Sequence, residues 1–122
     1  MRIAPAIVLM CIALPAAGEP TVARAQFTTG VVEREPVDAL ERASTGDGRV
    51  RFFTELHGLA GETVVHRWEH GGRVMAEVPI EVGAERWRAW SSKRILPAWT
   101  GVWQVSVVTG DSVLGTWTLV ID

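Results

Sequence analysis

The residues of this 122-residue chain best equipped for chemistry are its three histidines, His57, His66 and His70, the serine pair Ser91-Ser92, the carboxylates of Glu55, Glu69, Glu77 and Glu81, and a tryptophan–arginine run from Arg86 to Trp90. His66-x-x-Glu69-His70 has the form of the zinc motif of inverted metallopeptidases. That chemistry needs a helix, on which residues four apart share a face within about 6 Å. Here Thr63-Val64-Val65 precede the motif and Gly71-Gly72 follow it, which favours a strand ending in a tight turn. Along a strand the two imidazoles stand about 13 Å apart, too far to share one ion. No metal and no other cofactor is expected.

Ser91 or Ser92 could act as a nucleophile with a histidine base, but neither sits in a Gly-x-Ser-x-Gly elbow, and both read as turn residues after an aromatic strand. A carboxylate pair for glycoside cleavage must face itself across a cleft. Glu77 and Glu81 instead fall on the wet side of an alternating segment. No catalytic residue is therefore expected, and the chain reads as a binding module rather than an enzyme.

The tryptophans are the more specific signal. The chain has six tryptophans and no tyrosine, and Lys93 is the single lysine among twelve basic residues. In an extended Arg86–Ser91, Trp87 and Ala89 take one face, and Arg86, Arg88 and Trp90 take the other. One core cannot bury both indoles, so at least one reaches the surface. An exposed indole beside arginine and serine is a stacking platform with a hydrogen-bonding rim. The plainer alternative is that arginine stems cover a tryptophan through cation–π contact. The candidate ligand-binding surface is Arg67, Arg86, Arg88, Trp90, Ser91, Ser92 and Lys93. The ligand expected first is a cell-envelope glycan, with a protein partner or a structural role in the envelope as the alternative. A net charge of −2 and a pI of about 5.9 speak against a general nucleic-acid binder.

The elements that carry these residues read as strands. Gln26–Glu33 suits a first strand, stopped by Arg34-Glu35-Pro36. Val37–Ala43 reads as a loop with a possible helical turn. Arg49–Leu56 alternates, with Val50, Phe52, Thr54 and Leu56 on one side. Glu62–Glu69 is a third strand. Arg73–Val82 places Val74, Ala76, Val78, Ile80 and Val82 on one face, and Pro79 assigns it to a sheet edge or a bulge. Arg86–Ser91 is a fifth strand. Gly101–Thr109 and Ser112–Ile121 form a closing hairpin around Gly110-Asp111. About seven short strands predict an all-β, antiparallel β-sandwich of immunoglobulin-like type, with Trp68 as its buried tryptophan.

Residues 1–25 have the pattern of a signal peptide: Met1-Arg2, an uncharged apolar run from Ile3 to Ala17, and small-x-small Ala23-Arg24-Ala25. A cut after Gly18 is the alternative, as is an uncleaved anchor, although the run falls short of the roughly 20 apolar residues of a membrane span. Val8-Leu9-Met10-Cys11 matches a lipoprotein signal poorly. Cys11 is the single cysteine, so cleavage leaves no thiol and the core alone must hold the domain. The expected organisation is a leader over 1–25 and one sandwich over 26–122, placed in the periplasm or secreted.

Arg34-Glu35-Pro36, Phe53-Thr54-Glu55-Leu56, His66-Arg67-Trp68, Arg86-Trp87-Arg88, Trp90-Ser91-Ser92-Lys93 and Gly101-x-Trp103, in that order, resemble the bacterial family known as domain of unknown function 2914. The likeness extends over Phe27–Ile121. It implies an all-β module, found alone behind a signal or joined to other segments, and it implies no reaction.

Overall fold

The computed structural model describes residues 19–122. The apolar run and Cys11 lie outside the described residues. Period-two patterning, β-branched residues and glycine turns yield seven strands of eight or more residues: β1 (Thr21–Thr28), β5 (Arg49–His57), β6 (Thr63–His70), β7 (Arg73–Glu81), β8 (Arg86–Arg94), β9 (Gly101–Thr109) and β10 (Ser112–Ile121). Three two-residue strands join them: β2 (Val31–Val32), β3 (Glu35–Pro36) and β4 (Arg42–Ala43). The strands form a sandwich of two main sheets, ordered β1-β5-β8 and β4-β10-β9-β6-β7, with β2 and β3 as a separate hairpin. All pairings are antiparallel except β4 with β10.

The inward faces of the two sheets meet around Phe52. Its ring lies 4.9 Å from Phe27, 5.6 Å from Trp117 and 6.5 Å from Trp68, in tilted or edge-on contacts. Val50, Leu56, Val64, Trp103, Val105, Val107, Leu119 and Ile121 are buried in the same core. Two glycines make room for indoles. A Cβ on Gly115 would lie 2.5 Å from Trp117, and one on Gly83 would lie 2.8 Å from Trp87.

Three local expectations change. The first strand runs Thr21–Thr28, not 26–33, so pairing with β5 reaches back through Ala23-Arg24-Ala25 to the Thr21–His57 pair. Residues 37–43 form no helical turn. Leu40 bridges Phe27, and β4 pairs in parallel with the end of β10, which suits a segment too short to nucleate a helix. In β7, Pro79 lies on the sheet edge as expected, but Met75 is an extra residue opposite the Trp68–Glu69 step. The bulge inverts the face of everything before it. Met75 packs on the core, and Val74 is 52% exposed instead of buried.

Candidate functional site

β5 is the middle strand of the three-stranded sheet, so its odd-numbered residues point away from the core. On that outer face Arg49 stands opposite Arg94, Arg51 opposite Ser92, Phe53 opposite Trp90, Glu55 opposite Arg88, and His57 opposite Arg86. β1 extends the rows with Thr28 beside Arg51, Gln26 beside Phe53 and Arg24 beside Glu55.

The Glu55 end of this face is neutralised internally. Glu55, whose side chain is 9% exposed, accepts from Arg24 Nη2 at 2.9 Å, Arg86 Nη2 at 3.1 Å and His57 Nε2 at 2.7 Å. Glu35 accepts from both Arg24 terminal nitrogens at 3.0 and 2.8 Å, and from Arg88 at 3.0 Å. Hydrogen bonds from Arg86, and then from Arg24 and His57, hold the Glu55 carboxyl down at about 2. Those from Arg24 and Arg88 do the same for Glu35, also at about 2. Arg24 is raised in turn by Glu35 and Glu55. Glu35 reaches this position on the β2–β3 hairpin. Its two-residue turn, Glu33-Arg34, has φ of 51° and 64°, a conformation normally left to Asn-Gly. The Arg24 guanidinium also lies 5.0 Å above the ring of Phe53, which helps to bury that outward-pointing aromatic.

The other end of the face is not neutralised. Among the described residues Arg49, Arg51, Lys93 and Arg94 make no ion pair. Arg49 donates to Ser92 at 2.8 Å and Arg51 to the Thr29 carbonyl at 2.7 Å. Lys93, an inward-parity residue near the strand end, places its ammonium 4.8 Å from the Trp99 ring. Burial lowers the Lys93 ammonium, with further repulsion from Arg49 and Arg94. Trp90, 41% exposed, marks the boundary between the two halves. Beside it a groove of about 330 Å³ runs between β7 and β8, lined by Pro79, Ile80, Glu81, Trp87, Arg88, Ala89 and Trp90.

The seven residues expected to form one surface therefore divide. Arg86, Arg88, Trp90 and Ser92 share the outer face of β8. Arg67 lies on β6 in the other sheet, 3.8 Å from Glu77. Ser91 is buried between the sheets, because strand alternation sends it opposite to Trp90 and Ser92, and it is a strand residue rather than a turn residue. The sequence reading did not find Arg24, Glu35, Arg49, Arg51 or Arg94. The alternation of Arg51, Phe53 and Glu55 signalled an outer face, but its pairing with β8 and the return of the hairpin are long-range.

Ser91 belongs to a closed polar cluster in the core. Trp68 Nε1–H donates to Ser91 Oγ at 3.0 Å, and Ser91 Oγ lies 2.7 Å from His66 Nδ1. His66 Nε2 is 3.1 Å from Thr54 Oγ1, which donates to the Ala89 carbonyl at 2.9 Å. Because the Thr54 proton is committed to Ala89, His66 carries its hydrogen on Nε2 and accepts from Ser91 on Nδ1. Burial pushes His66 down to about 3, so it is a neutral structural group. The motif at His66–His70 is thus strand. His66 points into the core, whereas His70 stacks on Trp103 with ring centroids 4.7 Å apart. The glutamates considered for glycoside cleavage also separate, with Glu55 on one sheet and Glu69, Glu77 and Glu81 on β6 and β7 of the other.

Residues 61–117 match the family model described as protein of unknown function DUF2914, the family whose motifs the sequence resembles. The match covers β6 to β9 and much of β10, a shorter span than Phe27–Ile121. No curated protein matches the chain. Among solved structures, an immunoglobulin-like protein from Pseudomonas aeruginosa is similar in fold, with a TM-score of 0.60 at 14% identity over 88% of this chain and 99% of that one. An alkylpurine DNA glycosylase from Pseudomonas fluorescens, in complex with DNA containing an abasic-site analogue, aligns with a TM-score of 0.47 at 15% identity, over 84% of this chain and 30% of that enzyme. The fold is an immunoglobulin-like β-sandwich.

Proposed function

We propose that the domain is an exported, non-catalytic binding module whose site is the outer face of β5 and β8 around Trp90, and that its ligand is a cell-envelope glycan. The observation that carries this reading is the placement of Trp90. A large indole is left 41% exposed on a strand whose other outward residues are arginine and serine. Flat apolar area with a polar rim suits a sugar ring and its hydroxyls. The immunoglobulin-like fold and the family, which has no assigned reaction, agree with binding rather than turnover. The site omits Arg67, Ser91 and Lys93 from the sequence-based set and adds Arg49, Arg51 and Arg94.

Calorimetric titration with soluble envelope polysaccharides tests this. Binding by the wild type, abolished in a folded Trp90→Ala variant, is the expected result. No binding across the panel would reject the glycan. A second reading rests on the groove between the open edges of β7 and β8, where an extended segment of a protein partner could add a strand. In that case a crosslinked partner would be lost on Ile80→Arg, while Trp90→Ala would matter little.

A further inference from the structure

The charge division on this face assigns a chemical class to the ligand. Resting on the site proposed above, we infer that it takes an anionic saccharide, with a sugar ring on Trp90 and its carboxylate or phosphate groups on Arg49, Arg51 and Arg94. Like charges directly opposite each other across a strand pair are unfavourable, and Arg49 and Arg94 stand opposite each other. Elsewhere on the same face the fold answers its arginines: Arg24, Arg86 and Arg88 all have carboxylate partners. At the far end it supplies none among the described residues. Asp38, on the loop beside Thr28, directs its carboxylate at the Thr28 and Thr29 hydroxyls and the Thr29 amide instead. Arg51 and Ser92 occupy the row next to Trp90, and Arg49 and Arg94 the row beyond it, so a short oligosaccharide laid along β8 spans ring platform and cations together. Forked guanidinium groups match the planar oxygens of carboxylates and phosphates. The overall negative charge of the chain makes a local block of unanswered cations more specific than it would be on a basic protein.

The test uses the leaderless chain and three polymers: polygalacturonate, dextran and polyglutamate. Polygalacturonate is expected to bind, to weaken as salt rises, and to weaken at least about tenfold in the Arg49→Ser/Arg94→Ser variant, because charge-assisted hydrogen bonds are lost. Dextran is expected to bind far less. Thermal unfolding of the variant, unchanged or raised by relief of the Arg49–Arg94 repulsion, separates loss of binding from loss of fold. Equal, salt-insensitive binding of dextran and polygalacturonate would overturn the anionic assignment and leave the Trp90 site standing. Polyglutamate binding without polygalacturonate would overturn the saccharide. Binding of none of them would remove both the inference and the site.

Strand β1 carries a second, independent assignment: we infer that the leader is cut between Gly18 and Glu19. Cleavage after Ala25 would divide β1, removing the pairs that Thr21, Val22, Arg24 and Ala25 make with His57, Leu56, Glu55 and Thr54. It would also strip Val22 and Ala25 from the core and delete Arg24, which joins Glu35 to Glu55. Ala16-Ala17-Gly18 supplies the small-x-small pattern just ahead of the strand. Intact mass of the full chain after export from a bacterial host reads the answer. A product beginning at Glu19 is expected. One beginning at Gln26 would overturn the cut site and keep the export. An uncut chain would overturn both.

Discussion

The core histidine gives the sharpest prediction. In the folded protein His66 is neutral, with its ring nitrogens engaged by Thr54 and Ser91, and it takes up a proton only near pH 3. In the unfolded chain its pKa is the ordinary 6.5. The folded value is depressed, so between these two values the unfolded state binds more protons. Stability is therefore full above about pH 6.5 and falls as pH drops toward 3. At pH 5 an unfolded histidine is favoured about thirtyfold by protonation, which is about 2 kcal/mol of stability lost relative to pH 7. The carboxyls of Glu35 and Glu55 also destabilise the fold in acid, but only between about 4.5 and 2. The window from pH 7 to 5 therefore isolates the histidines. His66→Gln keeps an amide donor for Thr54 and cannot titrate. Urea unfolding of wild type and variant at both pH values gives a double difference that reads His66 alone. Wild type should lose about 2 kcal/mol more than the variant on going to pH 5. Equal losses in the two proteins would refute the neutral, closed cluster.

Further expectations follow from single contacts. Gly115→Ala drives a Cβ into the Trp117 indole and should cost about 1–3 kcal/mol in chemical denaturation. Replacing Glu33-Arg34 by Asn-Gly relieves positive φ at a two-residue hairpin turn and should stabilise by about 1–2 kcal/mol, seen as a higher unfolding midpoint with Glu35 still in place. Phe52→Ala empties the centre of the aromatic cluster and should cost about 3–5 kcal/mol. Arg24→Met breaks the bridge between Glu35 and Glu55, and amide exchange should rise first in the β2–β3 hairpin.

The sandwich was legible because it rests on local rhythm. Glycine turns and period-two runs placed β5, β6, β7, β8, β9 and β10 within a few residues, and Pro79 marked an edge that β7 occupies. β1 was displaced because a leader and a strand both use small and apolar residues, and Ala23-Arg24-Ala25 satisfies either pattern. The inverted end of β7 was hidden because the bulge arises from register against Trp68, not from composition. The candidate face was half legible. Trp90 and its arginine neighbours follow from alternation along one strand, which also placed Trp87 on the other side. Arg49, Arg51, Arg94, Arg24 and Glu35 join them only through strand pairing and the folded-back hairpin, contacts between residues distant in sequence. Arg67 was included by composition, and the sheet order sends it to the far side of the molecule.

The indole N–H signals of the six tryptophans provide the most direct measurement of the binding face. Trp68 and Trp103 donate internally to Ser91 and to the Trp99 carbonyl, whereas Trp90 is half open to water. Titrating polygalacturonate into the labelled protein should move the Trp90 indole signal together with the Arg49, Arg51 and Arg94 amides, and leave Trp68 and Trp103 in place. An unmoved Trp90, or shifts confined to Glu69, Val102 and Gln104 on the opposite sheet, would contradict it.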